Sequence, residues 1–141
     1  MAVFNVTQAI SSSMMTVLLN AVDADAAAGY IEFYTGTIPA KPETAPGGGN
    51  TKLGTCTCSV TSGTVASGVY TFSAITADSS ADATGTAAWC RVRDGAGVAC
   101  FDADVSVTGG TGTVQMPTTS ITAGGPIAFN SFVIKMSPGA W

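Results

Sequence analysis

Apolar residues near the start of the chain recur at the spacing of an amphipathic helix. Between Thr7 and Ala28 they follow one another at intervals of three and four, with Ser, Thr and Asn between them. The set is Ile10, Met14, Val17, Leu18 and Val22. Gly29 stands where a C-terminal cap belongs, and Tyr30–Tyr34 then switches to alternation. The pattern predicts one helix over about residues 7–28, which either docks on the protein's own sheet or grips a neighbour.

After this helix the chain becomes a series of short strand-like runs separated by turn signals. Residues 30–34 form the first run, and six more β-favouring runs cover residues 52–60, 69–75, 87–92, 98–107, 112–116 and 127–136. No helix-length gaps separate them, which disfavours a parallel α/β sheet. The pattern predicts a mainly β fold, as a single antiparallel β-sandwich or barrel of about seven strands with one N-terminal helix. At 141 residues the chain suits one domain, residues 1–141, with its β part at about 51–137.

A β-hairpin is the clearest local feature of this pattern. The turn-forming run Asp94-Gly95-Ala96-Gly97 lies between the runs at 87–92 and 98–107. Cys90 and Cys100 lie on its two arms, and they oppose each other only if the hairpin loop has an odd number of residues. A two-residue or four-residue loop would pair Cys90 with Phe101 instead. We expect reduced cysteines that act as small apolar side chains.

The segment from about residue 35 to 50 has the composition of a long surface loop. It contains Pro39, Pro42 and Pro46, followed by the run Gly47-Gly48-Gly49, which can neither continue a ladder nor bury apolar area. Long loops in compact domains are often functional. This loop is therefore the first candidate for contact with another subunit, although a connection without a partner has the same composition.

Composition narrows the function classes. Only 10% of the residues are charged, against about a quarter in an average protein, while 46% are hydrophobic. Such a surface fits a protein that packs against copies or partners, and it also fits a β domain covered by Ser and Thr. The net charge is −4 and the five basic residues are scattered, so no basic stripe predicts nucleic-acid binding.

Enzymatic, metal and membrane functions receive little support. Histidine is absent, which removes the usual general base and zinc ligand, so we expect no catalytic residues and no enzyme. Cys56 and Cys58 form a C-x-C pair rather than a zinc knuckle, and the spacing of the aspartates at 78, 82, 94, 102 and 104 fits no calcium loop. We expect neither metal nor cofactor. The N-terminal apolar stretch is broken by Asn20, Asp23 and Asp25 and has no basic start, so we expect no signal, no membrane span and synthesis in the cytoplasm.

Arg91 and Arg93 share a strand face with Trp89 if residues 87–92 are extended. They could pair with Asp102 or Asp104 across the hairpin, or with an acidic neighbour in an assembly. The intramolecular pairing is the favoured interpretation.

The order of these elements resembles a known group of proteins. The strand IEFYTGTIPA, the run ITADSSADATGTAAWCRVRDGAGVACFDADVSV and the closing TSITAGGPIAFNSFVIKM, together with the N-terminal helix, look like small virion proteins of tailed bacteriophages. The resemblance covers nearly the whole chain. It implies a structural, non-enzymatic component of the phage particle.

The resemblance leads to specific expectations. The leading one is a capsid decoration (cement) protein that binds the assembled head as a homo-oligomer, with a trimer as the expected form, and contacts the major capsid protein. Alternatives are a neck or tail subunit, such as a tail-tube or collar protein, and a carbohydrate-binding β-sandwich. The candidate partner contacts are Met14, Met15, Pro39, Pro42, Pro46 and Trp141. The terminal Trp141 is either tucked against the sheet or offered as an anchor to a partner.

Overall fold

The structure, a computed structural model, describes residues 5–129 and 131–135. It contains one helix, α1 (Gln8–Val22), followed by strands. The strands are β1 (Tyr30–Tyr34), β2 (Lys52–Thr57), β3 (Gly63–Ala66), β4 (Val69–Phe72), β5 (Gly85–Thr86), β6 (Trp89–Arg93), β7 (Ala99–Val107), β8 (Val114–Met116), β9 (Ser120–Ile121) and β10 (Ser131–Lys135).

Eight of the strands form one curled, half-barrel sheet. Their order is β2-β1-β6-β7-β8-β10-β4-β3, and β5 and β9 pair separately. The prediction of a mainly β fold with one N-terminal helix is confirmed. The prediction of a plain antiparallel sandwich or barrel of about seven strands is wrong, because β7 and β8 run parallel and β3, β5 and β9 were not foreseen.

The parallel pair depends on a glycine-rich connection at residues 108–113. Val105 pairs with Val114, so the chain must double back and reverse again between them. Gly109 supports the first reversal with a φ of +86°, and a Cβ on Gly110 would lie 2.7 Å from the Ser106 hydroxyl. The glycines thus allow a return that is much shorter than the usual parallel crossover.

The helix is shorter than its apolar pattern suggested. It begins after Thr7, whose hydroxyl accepts a hydrogen bond from the Ile10 N–H at 3.3 Å, and it ends at Val22 with Asp23 as its C-cap. The expected end near Ala28 is wrong. Gly29 has another role, because a Cβ there would lie 2.7 Å from the Arg93 carbonyl oxygen.

Hydrogen bonds at two points hold α1 beside β3 and β4. The Ser12 hydroxyl accepts from the Gly68 N–H at 2.8 Å, in the turn between those strands. Near the other end, the Asp23 carboxylate accepts from the Ser62 N–H at 3.0 and 3.2 Å, just before β3. The helix therefore lies along β3, and its inward face closes the core.

The core fills the concave face of the sheet. It joins the buried residues Met15 and Val22 of α1 to a cluster that includes Ile31, Phe33 and Val92 of the central strands. Across β4 and β10 three aromatic rings stack, with centroid distances of 4.4 Å for Tyr70 and Phe72 and 4.3 Å for Phe72 and Phe132. In the described part of the chain, no helix is long and apolar enough to cross a membrane.

Candidate binding surfaces

Helix α1 presents apolar side chains to solvent. Ile10, Met14 and Val17 are 50%, 42% and 67% exposed. Successive helical residues turn by about 100°, so intervals of four and three bring these side chains onto one side of the helix. Ala21 continues the same row by a further interval of four and is half-buried. We call Ile10, Met14, Val17 and Ala21 the outer row.

A second apolar row lies about 120° away around the helix and faces the core. It contains Met15 and Val22, which are 4% and 0% exposed, with Leu18 and Leu19 partly buried beside them. The predicted apolar stripe is divided between two faces, because its members Leu18 and Val22 face the sheet whereas Ile10, Met14 and Val17 face solvent. Met15 is likewise not a surface contact, since the core encloses it.

No charged side chain interrupts the outer row, because Gln8–Val22 contains no Asp, Glu, Lys or Arg. Two hydroxyls of the helix bond to its own backbone: the Ser13 hydroxyl donates to the Ala9 carbonyl oxygen at 3.0 Å, and the Thr16 hydroxyl donates to the Ser12 carbonyl oxygen at 2.8 Å. The result is an uncharged strip of surface with an apolar centre.

The Pro- and Gly-rich loop at residues 35–50 is closed at its base by Asn50. The Asn50 amide donates to the carbonyl oxygens of Thr35 at 2.8 Å and Thr37 at 2.9 Å, and its own oxygen accepts from the Gly47 N–H at 3.1 Å. Thr35 and Thr51 are also joined by backbone hydrogen bonding. The loop is therefore held in place at its ends.

This loop covers a charged face of the sheet. Arg91 is 1% exposed beneath it and donates to the Thr44 carbonyl oxygen at 2.8 Å. The indole N–H of Trp89 donates to the Thr35 carbonyl oxygen at 3.1 Å. Pro39, Pro42 and Pro46 are each half-buried, and Pro42 and Pro46 line a cleft with Arg91. The loop thus contacts its own protein through hydrogen bonds at Thr35 and Thr44, while most of its residues are exposed.

Beneath the loop, Arg91 and Asp102 form a bidentate ion pair. The guanidinium donates to the two carboxylate oxygens at 2.7 and 2.8 Å. The hydrogen bonding to Asp102 raises the pKa of Arg91. The Arg91 guanidinium carbon also lies 5.4 Å from the centre of the Trp89 ring. The predicted pairing across the hairpin is confirmed for these two residues.

Arg93 has a different partner from the one expected. It donates to Glu32 of β1 at 2.6 Å and to the Gly97 carbonyl oxygen at 2.9 Å. The Tyr34 hydroxyl donates to the same Glu32 carboxylate at 3.0 Å. Burial, reinforced by the Glu32 charge, raises the pKa of Tyr34 to about 12. These ionisable groups hold strands and turns together.

The hairpin turn is built by Asp94. Its carboxylate accepts from the N–H groups of Ala96 at 3.0 Å and Val98 at 2.8 Å, and Gly97 takes a φ of +90°. A register shift next to Val92 places Cys90 opposite Ala103. Neither register considered from the sequence occurs, because Arg93 pairs with Ala99 beside the turn, which already carries Cys100 and Phe101 past Cys90 before the shift adds one residue more.

The four cysteines are free thiols in the structure. Burial raises the pKa of Cys56 to about 11 and that of Cys58 to about 12, and it also raises the pKa of Cys90 and Cys100. A thiol kept protonated is a poor nucleophile and metal ligand. Across residues 5–129 and 131–135, no group of three or more Cys, Asp or Glu side chains is arranged to hold a metal ion.

Sequence reasoning singled out six partner contacts, and the structure distributes them unevenly. Met14 lies on the exposed outer row, Met15 is buried, the three prolines lie on the loop, and Trp141 lies outside the described residues. Ile10 and Val17 were missed as surface residues. The sequence did contain a signal for their exposure. The helix has two apolar rows, whereas a helix that docks on a sheet through one face needs only one.

Comparisons with protein-family models, with curated proteins and with solved structures find no match to this chain.

Proposed function

We propose that this protein is a structural component of a tailed-phage virion, a capsid decoration (cement) protein that stabilises the head through protein–protein contacts. The observation that carries the proposal is the uncharged, exposed apolar row on α1. Exposed apolar surface flanked by polar residues is typical of interaction sites. The phage setting comes from the sequence resemblance, and the structure supports the binding mode.

The placement of the ionisable groups supports a binding role over a catalytic one. Arg91, Asp102, Arg93 and Glu32 are paired with one another, and the thiols are held in their neutral form. A reacting centre needs groups whose protonation is poised near neutral pH and which face a cleft. These groups instead connect strands.

Three aromatic side chains of the sheet, Trp89, Tyr34 and Tyr70, offer no platform to a carbohydrate. Trp89 and Tyr34 stack on each other at 4.5 Å and are buried, and Tyr70 is enclosed in the core. Sugar rings need an exposed aromatic face to stack on. A neck or tail subunit would use the same kind of protein contact as a decoration protein, so the particle itself must distinguish them.

The test is to add purified protein to phage heads that lack it. A decoration protein should bind saturably at a fixed ratio and raise the temperature at which the heads release DNA or dissociate. Met14→Glu should weaken the binding about tenfold or more, because it places a charge in an apolar contact.

Val107→Glu is the matched control. Val107 is apolar and 49% exposed, and it lies at the opposite end of β7 from Cys100, whose thiol approaches the Ala21 carbonyl oxygen. It should leave head binding unchanged. If the protein does not bind heads and is found in isolated tails, the head assignment is wrong and the neck or tail assignment replaces it.

A further inference from the structure

The outer row of α1 has the spacing of a helix-pairing seam. Ile10, Met14, Val17 and Ala21 follow one another at intervals of four, three and four. This is the a/d spacing with which the side chains of one helix fit between those of another. Binding to a flat shell surface or to an extended peptide does not require apolar residues at this spacing. The spacing therefore favours a helix as the binding partner of the outer row.

The side-chain sizes in this row are complementary between two antiparallel copies of the row. If two copies of α1 pack antiparallel about a two-fold axis between positions 14 and 17, Ile10 faces Ala21 and Met14 faces Val17. Each layer then combines a larger side chain with a smaller one, which is how facing positions interdigitate without voids or overlap. A parallel arrangement would place Ile10 on Ile10 and Ala21 on Ala21, giving one crowded layer and one empty layer.

Charge also favours a second copy of this chain. The protein carries a net charge of −4, so two copies repel each other across most of their surfaces, whereas Gln8–Val22 has no ionisable side chain. Antiparallel helices further place the positive end of one macrodipole beside the negative end of the other. We infer that the outer row of α1 pairs antiparallel with the same row of a second copy, in an isologous two-fold contact.

The contact should be weak in solution. Four seam residues and their flanks on each copy bury well under the roughly 1,200 Å² of a stable interface. We therefore expect a dissociation constant between about 10 µM and 1 mM for free protein. Copies held close together on a particle would pair more completely, because tethering raises their effective concentration.

This inference extends the proposed function by naming a second copy as the partner of α1, and its test needs no phage heads. Sedimentation equilibrium of the purified full chain from about 10 µM to 1 mM should show a monomer–dimer equilibrium. Met14→Glu and Val17→Lys should each weaken association about tenfold or more, while Val107→Glu should not change it. Urea unfolding of each variant confirms that it remains folded.

The orientation of the pair has its own test, the double variant Met14→Glu/Val17→Lys. In the antiparallel pair the introduced carboxylate at position 14 faces the introduced ammonium at position 17 twice, so association should recover relative to either single variant. In a parallel pair like charges meet and association should fall further. A monomer at every concentration, a trimer, or a double variant weaker than both single variants would overturn the antiparallel two-fold contact. Saturable head binding by wild-type protein that stays monomeric at every concentration would leave the proposed function standing without this pairing.

Discussion

Two regions of the molecule depart from the usual rule that charged groups are exposed and apolar groups are buried. They are the loop-covered face of the sheet and the outer row of α1. Under the loop at residues 35–50, the Arg91–Asp102 pair is nearly enclosed. On the helix, Ile10, Met14 and Val17 face solvent. The comparison teaches that the segment most suggestive of binding, the Pro-rich loop, also covers an ion pair of its own protein, although most of the loop's residues are exposed. The helix, which looked like an ordinary docked element, keeps a face for another molecule.

The largest effect should come from breaking the covered charged face. Asp102→Ala leaves the Arg91 guanidinium buried without its carboxylate, so we expect the free energy of unfolding to fall by about 3–5 kcal/mol. Urea unfolding at neutral pH measures this change.

Asp82→Ala is the matched control for that substitution. The Asp82 side chain is 57% exposed and lies 3.7 Å from the Lys52 ammonium, so its loss should cost less than about 1 kcal/mol. Equal losses for the two variants would mean that the loop does not shield the Arg91–Asp102 pair from water.

Substitution of the adjacent residues Met14 and Met15 can distinguish the exposed face of α1 from its core face. Met15→Ala removes a core side chain and should destabilise the protein by about 2–5 kcal/mol, because it leaves a cavity beside Val22. Met14→Ala removes a side chain that is 42% exposed and should change stability by no more than about 0.5 kcal/mol. Urea unfolding of both variants checks this prediction, and a similar loss for Met14→Ala would place that side chain against the core.

A smaller change in the free energy of unfolding is expected at alkaline pH. It should come from the thiols on the core face of the sheet and not from the Arg91–Asp102 pair on its charged face. The folded state raises the pKa of Cys56 from 9.0 to about 11 and that of Cys58 from 9.0 to about 12, so the unfolded chain loses these protons first. Stability is therefore fully present below about pH 9 and is lost as the pH rises toward 11–12, by about 1 kcal/mol per pH unit for each thiol.

Urea unfolding at about pH 8 and about pH 10 measures this loss, and Cys58→Ala should make it smaller. Over the same range the Arg91–Asp102 pair should persist, since the pKa of Arg91 is raised by its hydrogen bonding to Asp102. An unchanged slope in Cys58→Ala would show that other groups cause the alkaline loss.

Local patterns predicted several of these features well. The run from Asp94 to Gly97 contains its own turn chemistry, a side-chain cap and a glycine with positive φ, so the hairpin could be read directly. A pairing of Arg91 across that hairpin was also predicted, although the choice between Asp102 and Asp104 was left open. The register shift next to Val92 could not be read, because a bulge responds to the packing of neighbouring strands.

The candidate site was harder to predict because burial depends on partners distant in the sequence. Met14 and Met15 have the same chemistry, and only the position of β3 and β4 decides which of them is enclosed. Those strands lie beside α1 through contacts from Ser12 to Gly68 and from Asp23 to Ser62, which no local pattern reveals.

By itself, the sequence determined that the fold is mainly β with one amphipathic helix, that the loop at residues 35–50 has no regular structure, and that a hairpin forms around Asp94. These depend on hydrophobic period and turn residues, which act over a few positions. Only the tertiary structure decided the parallel β7–β8 pair, the inward engagement of the loop, and the outward face of α1. Each depends on which surfaces meet across the curled sheet, because a side chain is buried or exposed according to the elements that pack over it.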